Sequence, residues 1–207
     1  FFSVLFWWLG FREPLTIVAG PVVSLVFLGV TAVMLVADLE RPERFYYLLT
    51  RPNWGSWLVK GAYVLMAHGA LAVAWLAAAW TDAQGVAALL VGPVLLVSTL
   101  AAIYTSFLFA QGLGRDLWQG PYSAVDLAAQ AGAAGAAVLI VIGAVAGAGP
   151  GLMTALTWAL FGAIGAHLTL IGVEYGLAPH PSVHYGLAAA TITRGAYARL
   201  FWGVAVA

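Results

Sequence analysis

The stretch Asp38–Trp57, DLERPERFYYLLTRPNWGSW, decides how the rest of the chain has to be read. It holds three of the eight Lys/Arg residues (Arg41, Arg44, Arg51) and three of the eight acidic ones (Asp38, Glu40, Glu43). On both sides the sequence is almost continuously apolar for the length of a membrane span. A charged, proline-marked segment between two such spans does not sit in hydrocarbon, so it is expected at a membrane surface. Pro42 suits a first helical position and Glu43 its first turn, which predicts a short helix there. Phe45, Tyr46, Tyr47, Trp54 and Trp57 are residues of an interface belt. Arg51-Pro52 ends the piece, and Asn53 or Ser56 is expected to cap the following span. A plain connection would be shorter, so the segment reads as a docking surface, with Arg41, Arg44, Phe45 and Arg51 as its contact residues.

Composition extends that reading outward. The 207 residues are 63% apolar and only 8% charged, where a soluble domain carries about a quarter. The apolar runs are 20 or more residues long. That excludes an outer-membrane barrel, whose strands alternate over roughly 10 residues. With no cysteine, the chain holds neither a disulfide nor a cysteine-ligated iron–sulfur cluster, so any cluster belongs to a partner. Net charge is zero and no basic tail or nucleic-acid motif is present.

The second span is expected from roughly Leu15 to Ala37, kinked at Gly20-Pro21. A third runs from about Trp57 to Trp80, and a fourth, after the turn Thr81–Gly85, reaches about Ala110. The fifth starts near Tyr122 and is rich in Ala and Gly; Gly143 and Gly147, four apart, are expected at a close helix crossing. Gly149-Pro150-Gly151 turns into a sixth, about Leu152 to Val173. FFSVLFWWLGF at the start reads as the tail of a first helix, and LFWGVAVA at the end as the beginning of a seventh. The expectation is an all-α polytopic bundle: one transmembrane domain, 1–207, with about five full spans and partial ones at both ends. The loops near 38–56, 111–121 and 174–199 share one face, with Arg41, Arg44, Arg51, Lys60, Arg115, Arg194 and Arg199; the other face has only Arg12. The positive-inside rule makes the crowded face cytoplasmic.

Polar groups at membrane depth are costly and are functional candidates by default. Here they are Asp38, His68, Tyr104, Gln111, Asp126, Gln130, His167 and Glu174. Most fall toward the loop face; His68 is deepest, roughly 16 Å in from Trp57 at ~1.5 Å per residue. Each also has a plain structural reading. Asp38 and Asp126 suit caps, Tyr104 an interface tyrosine, His68 and His167 buried hydrogen-bonded rings, and Glu174 a solvated span end. His180 and His184 belong to a loop with two prolines. Two histidines on different spans raise a cytochrome b-type anchor, although the depths of His68 and His167 differ by several ångström. Gly20-Pro21 and Gly92-Pro93 raise a proton-translocating or transporter-like module. No internal repeat supports it, and the polar groups gather toward one face rather than the midplane.

The segment DLERPERFYYLLTRPNWGSWLVKGAY resembles the second-to-third-helix region of the NrfD/PsrC family, the quinone-interacting membrane subunits of polysulfide-reductase-type complexes. Tyr104-Thr105-Ser106, His180-Pro181-Ser182 and the closing RGAYARLFW fit the same family, and the likeness covers nearly all of the chain. Glu40 replaces the usual glycine of the loop motif. The resemblance implies a haem-free, usually eight-helix bundle in a prokaryotic cytoplasmic membrane. It implies a ferredoxin-like iron–sulfur partner, a catalytic and often molybdopterin-containing subunit, and menaquinone or ubiquinone, as in anaerobic respiration. Tyr104 matches the family's quinone-contacting tyrosine, with Asp38 and His167 as further candidates. Reduction of a quinone consumes protons, so Asp126, Glu174 and His68 form a candidate proton path. Such a subunit is not catalytic alone.

Overall fold

Among the described residues, five apolar helices of 23 to 27 residues organise the chain, each long enough to cross a hydrocarbon core of about 30 Å. The computed structural model describes residues 1–38, 40–112, 120, 122–176 and 182–205, the side chains of Arg44, Val204 and Ala205 excepted. Arg115, His180 and Pro181 lie outside the described residues. The first span, Leu15–Ala37, joins a π-helical turn (Leu15–Ala19) to α2 (Gly20–Ala37). The others are α4 (Trp57–Trp80), α5 (Gln84–Ala110), α6 (Ser123–Ala146) and α7 (Pro150–Gly176). A short α1 (Phe2–Trp8) precedes them. The surface loop carries a 3-10 turn (Pro42–Arg44) and the single-turn α3 (Tyr47–Thr50). Beyond α7 come α8 (Val183–Thr193), the short α9 (Ala198–Leu200) and a π-helical turn at Phe201–Ala205.

The short turns 81–83 and 147–149 set α4 against α5 and α6 against α7 as antiparallel neighbours, and the spans pack in the order α2, α4, α5, α6, α7. Into the hollow of this row fits α1, against α2, α5 and α6. Its side chains divide the core. Val4 and Trp7 join Trp75, Ala78, Val91 and Val94, while Phe6 joins Leu15, Leu139, Leu152 and Leu156.

A kink is expected at Gly20-Pro21; the helical irregularity lies one turn earlier, as the π-helical turn Leu15–Ala19. Proline has no N–H, so Pro21 leaves the carbonyl of Ile17 without its helical donor. The Trp75 indole Nε1–H supplies one from α4 at 3.2 Å. A backbone oxygen in hydrocarbon is thereby satisfied by a neighbouring helix. The same end is closed by two further ties. Arg12 Nη1 donates to Gln84 Oε1 at 2.7 Å, and Glu13 Oε2 accepts from the Gly149 N–H at 2.9 Å, next to the first residue of α7.

The two glycines of α6 have different roles. Gly143 stands at a close approach: a Cβ there would lie 2.8 Å from Met153 Sδ and 2.9 Å from Leu15 Cδ2. Gly147 does not. It is the C-cap of α6 at φ 70°, ψ 40°, with nothing near a would-be Cβ, so it corrects the expected paired crossing. Its glycine serves backbone conformation, not packing.

Candidate functional site

The loop between α2 and α4 borders a shallow, open groove of about 770 Å3, lined by Glu40, Arg41, Phe45, Tyr47, Leu48, Arg51, Asn53 and Val59. Three of the four expected docking residues, Arg41, Phe45 and Arg51, thus line one surface feature; the Arg44 side chain is outside what is described. The loop is anchored from below. The Tyr63 hydroxyl of α4 donates to the Leu49 carbonyl at 3.2 Å, and its ring lies 4.9 Å from that of Trp54. Arg51 sits 5.8 Å from the centre of the Tyr47 ring. Asp38, at the C-cap of α2, is exposed.

Ser56 occupies the N-cap position of α4 but makes no side-chain cap bond, and Asn53 instead accepts from the Gly55 N–H at 3.0 Å. The capping comes from another helix. Gln111, just past α5, accepts from the Trp57 N–H at 2.9 Å and donates to the Gly55 carbonyl at 3.1 Å. Stacking of Trp57 on Phe107 at 4.5 Å, with Lys60 Nζ 4.5 Å from the indole, closes the same seam.

Below this seam lies Tyr104, 7% exposed. Its ring occupies the space a side chain at Gly61 would need, so glycine there permits the tyrosine to pack. Its hydroxyl has no hydrogen-bond partner among the described residues. No sealed side-chain nitrogen or oxygen among them lacks a partner, so this hydroxyl is not completely sealed. Gly61 and Val59 are two residues apart, about 200° around α4. Tyr104 and the loop groove therefore lie on opposite faces of that helix.

A second polar group joins α6, α7 and α8. His167 Nδ1 pairs with Asp126 Oδ1 at 2.6 Å, and Gln130 Nε2 donates to Asp126 Oδ2 at 2.7 Å. The side chains of His167 and Asp126 are 23% and 19% exposed, sheltered but within reach of a proton donor. Two turns on, the Tyr185 hydroxyl donates to Glu174 Oε1 at 2.6 Å. Tyr185 is 1% exposed. Burial first, then the hydrogen bond and charge of Glu174, push its phenol far above the ordinary tyrosine range, so it stays a donor. Tyr175 stands within electrostatic reach of both Glu174 and Asp126. Sequence reasoning missed Tyr185, which nothing marked beyond its place three residues after Ser182, whose Oγ accepts its N–H.

His68 belongs to a separate group. It lies halfway along α4, with Ser24 Oγ 2.8 Å from Nε2 and Ser98 Oγ 3.3 Å from Nδ1, beside a cavity of about 30 Å3 that Ser3 also lines. That is room for about one water. The expected gathering of polar groups at one face does not include this midspan cluster. His68 and His167 are engaged by different partners on different helices. Among the described residues no three His, Cys, Asp or Glu side chains come together as a metal-binding group.

Five apolar spans, a surface loop with an open groove and ionisable groups within the helices define a polytopic α-helical membrane protein. The whole chain, residues 1–207, matches the family described as "Polysulphide reductase, NrfD". It belongs to the NrfD family, whose members are membrane subunits of oxidoreductase complexes that interact with quinones. No curated protein and no solved structure matches it.

Proposed function

We propose that this chain is the haem-free membrane subunit through which a docked ferredoxin-like iron–sulfur protein exchanges electrons with menaquinone or ubiquinone. Its setting is a prokaryotic cytoplasmic membrane, in a complex whose catalytic subunit, of molybdopterin type, lies beyond the iron–sulfur protein. The observation that carries this reading is Tyr104: a tyrosine packed against Gly61 whose hydroxyl is not completely sealed and has no partner among the described residues. A quinone, when bound, takes up two electrons and two protons, and the corresponding quinol gives them off. Tyr104 would donate to its carbonyl without bringing a charge into the membrane. The Asp126–His167 pair would hold the proton, and Gln130 would keep the carboxylate oriented. Glu174, with Tyr185, would extend that pair toward the loop face, and exposed Asp38, at the far end of the row on α2, would be a separate candidate near the quinone. His68, engaged by Ser24 and Ser98 at midspan, would be a separate station deeper in the membrane.

Tyr104→Phe tests the quinone contact, because it removes the hydroxyl and leaves the packing on Gly61. Quinone-linked turnover of the complex should fall several-fold, as a lost hydrogen bond of roughly 1 kcal/mol or more implies. Electron transfer from the catalytic subunit to a soluble artificial acceptor should persist. Normal quinone turnover in this variant would remove Tyr104 from the site. Docking is tested separately by reversing the charges of Arg41 and Arg44. The iron–sulfur subunit should then leave the membrane fraction at moderate salt, whereas a complex still intact in high salt would refute that role.

A further inference from the structure

We propose that the groove beneath the 40–51 loop is a binding site for the headgroup of an anionic phospholipid. The site lies between the end of α2 at Ala37 and the start of α4 at Trp57, which places it at the membrane surface. Phe45, Leu48 and Val59 give its lining apolar side chains, and Arg41, Tyr47 and Arg51 add donors to the same lining. This combination of groups matches a phospholipid, whose first acyl carbons and glycerol pack on apolar side chains while the phosphate meets donors. A guanidinium presents a planar fork to phosphate oxygens, and the Tyr47 ring beside Arg51 restrains that fork. Charge complements it as well. Two guanidiniums less the one carboxylate of Glu40 leave the groove one positive charge, the complement of a single phosphodiester. Exposed Tyr46 and Trp54 flank it as interface residues. A volume of about 770 Å3 exceeds what one ion needs and suits a headgroup with its glycerol. The groove lies across α4 from Tyr104, so this lipid would not compete for that hydroxyl.

The full chain, without any iron–sulfur subunit, is placed in nanodiscs of phosphatidylcholine containing a minor fraction of phosphatidylglycerol. Lipid retained after extraction is then read by native mass spectrometry. One phosphatidylglycerol should be retained with roughly tenfold preference, the scale of a charge-assisted hydrogen bond. Arg51→Gln should bring the preference close to parity, and Arg51→Lys should keep much of it. The wild-type preference should also shrink as salt is raised, a reading that stands even where Arg51→Gln fails to accumulate. Equal retention of the two lipids, an unchanged preference in Arg51→Gln, or indifference to salt would overturn the proposal and leave the groove to an acidic protein segment. Full competition by soluble glycerol phosphate would overturn it in favour of a free phosphate ester. Because no partner protein is present and the substitutions are at Arg51 alone, the lipid preference is read without the docking test at Arg41 and Arg44.

Discussion

Gly61→Leu should destabilise the chain by roughly 2–3 kcal/mol and lower quinone-linked turnover about a hundredfold. The stability loss follows from geometry. Even a methyl group at Gly61 would overlap the Tyr104 ring, and a rigid aromatic cannot swing aside as the tip of a lysine can. Either α4 and α5 separate, which strains the Gln111 bridge and the Trp57–Phe107 stack one turn away, or Tyr104 leaves its place. The turnover loss follows if that tyrosine positions a quinone, since a displacement on the order of 1 Å can cost that much. Gly61→Ala should show the same defects in weaker form. Thermal unfolding in detergent and quinone turnover of the assembled complex are the two readouts. A leucine variant that unfolds early yet turns over normally would show that the Tyr104 position matters only to packing.

Much of the fold was legible because the bilayer imposes a length. The spans Leu15–Ala37 and Trp57–Trp80 appear at the residues where hydropathy begins and ends them. The loop Asp38–Trp57 is set apart by charge alone. What hydropathy does not encode is how each helix is rotated and which residue it faces across a seam. Gln111 was visible as a polar residue late in its span, but its task of capping α4 in place of Ser56 depends on the packing of α4 against α5. Asp126 and His167 were each recognised as costly groups, yet their pairing depends on the relative rotation and depth of α6 and α7. Ser24 and Ser98 passed unnoticed because a serine in an apolar helix can bond its own backbone; only their convergence on His68 gives them a role. Gly143 and Gly147 shared a spacing that suggested one function. The helix ends between them, and the second glycine adopts a conformation that only its backbone angles reveal.

Asp126→Asn should slow quinone-linked turnover by roughly a hundredfold while leaving the helices in place, the lower end for a lost proton-transfer group. Asparagine has the shape of aspartate and can still face His167 and Gln130, so packing between α6 and α7 is largely preserved. It cannot take up or release a proton. If the Asp126–His167 pair holds protons for the reaction, the rate-limiting step should shift to proton delivery. The variant should then show a larger solvent isotope effect and a changed pH profile. His167→Gln should produce a similar loss, and the double variant little more than either alone, because two residues acting as one station are not additive. Purely structural residues would behave otherwise: thermal stability would fall in step with turnover, and the isotope effect would stay as in the wild type. Electron transfer to a soluble acceptor, which needs no proton from this chain, should persist in all three variants. Its loss would place the defect in assembly with the iron–sulfur subunit instead of at Asp126.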